Sequence, residues 1–185
     1  MGIQLNEPLI TAEQINRRVR ELAEQINRDY GGREQPISII IVLKGAVFFA
    51  IDLLRHLTIP IQVDFLQASS YQGGTASTGE VTLHKDINMP IAGTDVLLVE
   101  DIVDTGLTAS WLREHLRSHQ PASVRLASLL DKPSRRSIPV QIDYTGFQIP
   151  DAFVLGYGLD YDEGYRNLPA VYTAQEIGSE EESLG

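Results

Sequence analysis

Glu100 and Asp101 follow directly on the apolar run Val96-Leu97-Leu98-Val99, and close behind them stands Asp104-Thr105-Gly106-Leu107-Thr108. Where a strand gives way to a helix, the first backbone amides lack acceptors. Gly106 permits a tight turn there, and the Thr105 and Thr108 hydroxyls add donors. That is a cradle for an anion. Two carboxylates beside a phosphate would repel it unless hydroxyl groups, a divalent cation or both lay between. A sugar phosphate meets both demands, with its 5′-phosphate in the nest, its ribose diol against Glu100 and Asp101, and Mg²⁺ offsetting the remaining charge. The plainer reading is a strand-to-helix connection with Asp104 or Thr105 as N-cap. For Asp104 the two readings are compatible.

The elements that must hold these residues are legible from periodicity. Thr11 and Gln14 form a capping box, after which Ile15, Val19, Leu22 and Ile26 fall on one helical face until Tyr30-Gly31-Gly32 stops it. Residues 37–43 are apolar and β-branched almost throughout, as a strand buried on both faces requires, and Lys44-Gly45 ends them. A helix is expected over 46–57 with Phe49, Leu53 and Leu57 inward, then an alternating strand through Ile61, Val63 and Phe65. Residues 69–80 are polar and Gly-rich, the tip of a long hairpin whose return strand is 81–84. Residues 95–99 form a third buried strand, and 100–108 a polar turn into a helix carrying Leu112 and Leu116. Fourth and fifth strands are expected over 124–130 and 153–157. Strands alternating with helices predict an α/β fold with a mostly parallel sheet, whose ligand crevice lies beyond the carboxyl ends of the strands. Three of those ends carry Lys44-Gly45, the Glu100 to Thr108 segment and Asp131-Lys132.

Composition narrows the function classes. The chain has 185 residues, 43% of them hydrophobic, enough for one domain, expected over 1–175. Fifteen basic against 25 acidic residues give a net charge of −10. Such a balance disfavours a sequence-independent grip on nucleic acid or anionic lipid, so neither is expected as a partner. Four of the acids, Glu176, Glu180, Glu181 and Glu182, sit in an expected solvated tail over 176–185. Cysteine is absent, which excludes a disulfide framework, a thiolate metal site and a Cys nucleophile. With no signal-peptide or myristoylation pattern at the N-terminus and no membrane-length apolar run, a soluble cytoplasmic protein is expected.

Other signals carry less. His115 and His119 have a spacing that can place two imidazoles on one metal, but no third ligand accompanies them in sequence, and they read as surface histidines. Arg135-Arg136 reads as a solvated pair, and Trp111 as a core or interface aromatic. Walker A, G-x-G-x-x-G and G-x-S-x-G motifs are missing.

The segment from Val96 to Thr108 resembles the phosphoribosyl-pyrophosphate signature of type I phosphoribosyltransferases. Leu43-Lys44-Gly45, Ser70-Tyr71, Asp131-Lys132 and the run from Phe153 to Tyr161 resemble the hypoxanthine(-guanine) branch, in order and spacing, from about Ile37 to about Tyr172. This resemblance implies a parallel-sheet core under a small hood made by the N- and C-terminal segments. It implies magnesium-dependent transfer of ribose 5-phosphate from phosphoribosyl pyrophosphate to a 6-oxopurine, and a homodimer or homotetramer.

Residue by residue, the resemblance makes Asp104 the general base at purine N7, and 104–108 the 5′-phosphate loop. Glu100 and Asp101 become ribose and metal ligands. Lys44 and Gly45 form a pyrophosphate loop with a cis peptide before the lysine, and Arg166 binds pyrophosphate oxygens. On the purine side, Lys132 donates to O6, Phe153 stacks on the base and Val154 offers backbone groups to its edge, while Asp160 holds Mg²⁺. Ser70 and Tyr71 begin the flexible loop that closes over the reacting centre. Leu107 stands where some relatives carry Lys or Arg, so the phosphate loop depends more on backbone donors and the helix N-terminus. Two rival readings are an RNA-binding regulator that senses nucleotides, which the acidic balance disfavours, and a phospho-accepting receiver domain, which the Thr-Gly-x-Thr nest behind Asp104 does not fit.

Overall fold

The computed structural model describes residues 2–70 and 81–177. The elements, in order, are β1 (Gly2–Ile10), α1 (Ala12–Tyr30), β2 (Ile37–Leu43), α2 (Val47–Leu54), β3 (Ile61–Ser70), β4 (Val81–Lys85), β5 (Asp95–Val103), α3 (Leu107–Ser118), β6 (Ser123–Asp131), β7 (Tyr144–Gln148), β8 (Val154–Leu155) and β9 (Val171–Ile177). Six strands form the main sheet in the order β4-β3-β2-β5-β6-β7. All neighbours are parallel except the β3–β4 hairpin. A second, antiparallel sheet, β1-β9-β8, joins the two ends of the chain. This is the α/β architecture with a terminal hood that the sequence implies.

Helix α1 starts at the capping box: the Gln14 amide donates to Thr11 Oγ1 at 3.2 Å, and the Thr11 amide to Gln14 Oε1 at 2.8 Å. Its inward face buries Ile15, Val19, Leu22 and Ile26. With α2 it covers Ile39, Ile41, Leu97 and Val99 on one face of the sheet. Helix α3 covers Ile40, Val42, Val96 and Leu98 on the other. Successive strand side chains thus enter two different cores, which is why β2, apart from Ser38, and β5 over 96–99 read as apolar runs.

Several expectations shift. Helix α2 ends at Leu54 rather than 57, because the chain tightens there: His56 and Leu57 donate to carbonyls only three residues back, which turns the chain toward β3. Val63 and Phe65 share a sheet face as alternation demands, yet remain 40% and 37% exposed. Helix α2 packs on β2, β5 and α1 and leaves this flank of β3 uncovered. Residues 153–157 are not a fifth strand of the main sheet. Only Val154–Leu155 is extended, and it joins the hood. The place beside β6 belongs to β7, where Gly146 lets the two backbones approach: a Cβ there would strike the Leu129 carbonyl. Strand β9 takes in Glu176 and Ile177, so the tail boundary expected at 176 falls inside a strand, and 178–185 lie outside the described residues. Among the described residues no helix is long and apolar enough to cross a membrane.

Candidate active site

The carboxyl ends of β2, β3 and β5 open into a cavity of about 410 Å³, closed on its far side by the loop between β8 and β9. Lys44, Gly45, Ser70, Glu100, Asp101, Thr108, Asp160 and Arg166 all line it. A second cavity of about 180 Å³ shares Ser70, Glu100, Ile102 and Thr108 with the first and adds Asp104, Thr105 and Gly106. The two form one crevice, because the same side chains are walls of both.

At the smaller end, β5 runs on to Val103, so Glu100 and Asp101 are strand residues and not part of the polar turn expected over 100–108. Glu100 pairs with Ser128, and Ile102 with Leu130, of β6. The turn proper is 104–106. Gly106 adopts φ +88° and is itself the N-cap of α3, which corrects the expectation of Asp104 or Thr105 in that place. A Cβ on Gly106 would strike the Ile138 carbonyl and the Arg136 side chain. Thr105 Oγ1 accepts from the Leu107 amide at 3.4 Å, while Leu107 lines neither cavity. From behind, the Ser137 and Ile138 amides donate to the Thr105 carbonyl at 3.0 Å each.

Arg135 and Arg136, expected as a solvated pair, hold this turn. Arg135 Nε donates to Asp104 Oδ1 at 2.8 Å. Arg136 Nε donates to the Asp104 carbonyl at 3.1 Å, and its guanidinium also pairs with Asp131. The 3₁₀ turn Pro133–Arg135 after β6 swings both arginines toward β5.

The two acids before the turn are mutually frustrated. Glu100 is 6% exposed, and burial followed by the Asp101 charge pushes its carboxyl well above the usual range. Burial raises Asp101 to about 6, with Asp160 adding to the rise while the Ile102 amide and Arg166 pull the other way. A Cβ on Gly45 would collide with the Asp101 carboxylate, so that acid lies directly against the Lys44-Gly45 loop.

At the larger end the Leu43–Lys44 peptide is cis, as the resemblance implies. Lys44 Nζ sits 2.9 Å from Glu163 Oε2, and Arg166 Nη2 sits 3.1 Å from the same oxygen and 2.9 Å from Asp160 Oδ1. The two ion pairs made by Glu163 join the lysine of one loop to the arginine of the other through a single carboxylate. The loops also touch through their backbones, for a Cβ on Gly158 would strike the Gly45 carbonyl. The Tyr157 hydroxyl donates to Asp52 on α2 at 2.8 Å and anchors the loop to the main domain.

Lys132, Phe153 and Val154 line neither cavity. Lys132 is nonetheless 7% exposed, not solvated, and its amide donates to the Val103 carbonyl at 3.0 Å. Phe153 is half exposed, not a core residue, with Tyr161 edge-on at 5.8 Å between ring centroids. Val154 is buried in β8. Tyr71 lies outside the described residues, as does the loop tip expected to close the site.

A family model for the phosphoribosyl transferase domain matches residues 9–162, most of the chain and every wall of the crevice except Glu163 and Arg166. The chain belongs to this family. Among relatives of this phosphoribosyl transferase domain, a hypoxanthine-guanine phosphoribosyltransferase of Mycobacterium tuberculosis is 50% identical over 171 residues, covering 89% of this chain and 84% of its own. One from Streptococcus thermophilus is 44% identical, covering 91% and 92%. A solved hypoxanthine-guanine phosphoribosyltransferase of Bacillus anthracis superposes with a TM-score of 0.87 at 44% identity over 95% of this chain and all of its own. A hypoxanthine phosphoribosyltransferase of Staphylococcus aureus gives 0.87 at 44%, over 92% of each.

Among the described residues of this phosphoribosyl transferase domain, two groups of side chains have donors for a metal ion. Glu100, Asp101 and Asp160 offer carboxylate oxygens in one cavity, which suits a hard divalent cation, and a cation there would favour the charged forms that burial disfavours in Glu100 and Asp101. Asp86, His115 and His119 lie together elsewhere and could also coordinate a metal. Sequence reasoning missed Glu163, whose role depends on contacts across 119 residues. Gln67, Ala68 and Ser69 are further cavity walls it missed; the only signal was their position at the end of β3.

Proposed function

We propose that this chain transfers the 5-phosphoribosyl group from phosphoribosyl pyrophosphate to hypoxanthine, and to guanine, forming IMP or GMP and pyrophosphate in purine salvage. The observation that carries this reading is the single crevice that joins a helix-N-terminal nest, a pair of buried acids and a corner of two cations. That is the order of the 5′-phosphate, ribose and pyrophosphate along the donor substrate.

The 5′-phosphate takes the amides and hydroxyls of 104–108, and the ribose diol donates to Glu100 and Asp101. Lys44, the Gly45 backbone and Arg166 take the pyrophosphate once Glu163 releases them. Purine N9 attacks the anomeric carbon as the bond to pyrophosphate breaks, and Asp104 accepts the proton from N7. Lys132 has donors only and so favours a 6-oxo group over the amino group of adenine. Phe153 stacks on the base and Val154 presents backbone groups to its edge. Mg²⁺ would be held by Glu100, Asp101 and Asp160, and would offset charge on the departing pyrophosphate. The loop beginning at Ser70-Tyr71 closes over the centre and keeps water from the cationic ribosyl carbon.

One domain that includes β9 carries this activity, in the cytoplasm, with no nucleic-acid or membrane partner. The exposed Phe48, Ile51, Val63 and Phe65 support assembly as a homodimer or homotetramer. The direct test is assay of the purified chain with each purine base, phosphoribosyl pyrophosphate and Mg²⁺. IMP and GMP are expected; no nucleotide from either hypoxanthine or guanine refutes the reading.

A further inference from the structure

The histidine pair of α3 acquires in three dimensions the third ligand it lacks in sequence. A ring nitrogen from each of His115 and His119 and one oxygen of Asp86 lie within 4.8 Å of one another. Asp86 comes from the segment that leaves β4, and the histidines from the C-terminal end of α3, so the cluster joins two elements of the second core. None of the three lines the crevice.

Each side chain is partly prepared. His115 Nε2 meets Asp86 Oδ1 at 2.9 Å, and the Ile87 amide donates to the same oxygen at 2.7 Å. The His115 ring is stacked on Trp111, 5.1 Å between centroids and 5° from parallel, which fixes its plane. The His119 ring stands edge-on to His115 at 5.1 Å. A clamp made only of His115 and Asp86 would need nothing from His119. Yet the buried Nε2 of His119 has no hydrogen-bond partner among the described residues, which leaves that nitrogen available as a ligand.

We propose that Asp86, His115 and His119 form a binding site for a borderline divalent transition ion of the Zn²⁺ class, separate from the carboxylate set of the crevice. Two imidazoles and one carboxylate select such an ion over Mg²⁺, which prefers oxygen ligands and keeps several waters. Three protein ligands leave a fourth position for water. At the edge between His115 and Asp86 the rearrangement is small. With metal–ligand distances of about 2.0–2.1 Å in tetrahedral geometry, nitrogen and oxygen stand roughly 3.3 Å apart, so the His115–Asp86 contact opens by about 0.4 Å. Once bound, the ion ties the exit of β4 to the last turn of α3, and the folded chain gains stability by mass action.

The test uses the full chain, stripped with chelator and titrated with Co²⁺ and with Zn²⁺ in excess Mg²⁺. One equivalent of Co²⁺ with visible d–d bands is expected, together with a rise in Tm on adding Zn²⁺. Both should survive Asp160→Asn, and Asp86→Ala and His119→Ala should each weaken binding by about tenfold or more. X-ray absorption on the Zn²⁺-loaded wild-type chain provides a readout that needs no variant, and two imidazole ligands are expected. An all-oxygen shell, no stoichiometric binding in the presence of Mg²⁺, or binding unchanged in both Asp86→Ala and His119→Ala overturns the proposal.

Discussion

The nest at 104–108 and the cation corner at the other end of the crevice offer an anion opposite kinds of partner. The nest is built from five consecutive residues, with Gly106 at φ +88° as the N-cap of a helix, and its donors are backbone amides and hydroxyls. The corner is built from Lys44 and Arg166, both bound to the Glu163 carboxylate, which lies 119 residues from Lys44 in sequence. Helix-terminal amides have no partner within the helix, so the nest has donors to offer without breaking an ion pair. The corner's cations already share a carboxylate, so an entering anion competes with Glu163 for them. One end is ready, and the other exchanges.

The largest effect should come from the nest. Asp104→Asn is expected to lower kcat by about 10²–10⁴ with little change in KM for either substrate. Steady-state kinetics with hypoxanthine would check it, and an unchanged kcat would leave Asp104 only its pairing with Arg135. Next comes Gly45→Ala. The added methyl strikes the Asp101 carboxylate and forces the Lys44-Gly45 loop and that acid apart, and a displacement of this kind costs about 10²-fold in kcat/KM. A far-UV spectrum like wild type would show that the loss lies in the loop, whereas unimpaired kcat/KM would mean that the corner tolerates displacement and the contrast with the nest fails.

Glu163→Gln probes the exchange itself. Freed of their carboxylate partner, Lys44 and Arg166 should bind phosphoribosyl pyrophosphate about 2- to 5-fold more tightly, the scale of exposed ion pairs, with kcat nearly unchanged. The gain should shrink with added salt, and a KM that rises instead would show that Glu163 assists binding. The smallest kinetic effect belongs to Asp64, outside both ends. Partial burial works to raise its carboxyl, but the Met89, Phe65 and Asn88 amides, with Lys85, hold it below its ordinary 3.8. A lowered folded value means that its stabilisation is complete above the unfolded value and fades as pH falls through the folded one. Asp64→Asn is therefore expected to cost about 1 kcal/mol in urea unfolding at pH 7. The cost should shrink below pH 3.8 and both KM values should stay unchanged.

The same contrast explains what could be read from sequence. The nest is local, so the spacing from Glu100 to Thr108 exposed it, and strands buried on both faces announced themselves as apolar runs. Helix α1 declared its start through Thr11 and Gln14. Strands β1 and β9 pair from opposite ends of the chain, with Gly2 opposite Ile177, and no local period marks such a partnership. Strand β7 carries Thr145 and Gly146 where an apolar pattern would have flagged it. Arg136 looked solvated because its partners, Asp131 and the Val103 and Asp104 carbonyls, converge only when the turn after β6 folds back on β5. Asp86 was invisible as a companion of His115 for the same reason.

In the proposed complex, neutral donors at 104–108 grip a terminal phosphate while Glu100 and Asp101 face the attached sugar. A crystal structure of the full chain with IMP tests this arrangement most directly. Phosphate oxygens are expected within hydrogen-bond distance of the 105–108 amides, and the ribose hydroxyls against the two acids. A nucleotide bound elsewhere, with the turn free of phosphate and both acids turned to the protein, would contradict it.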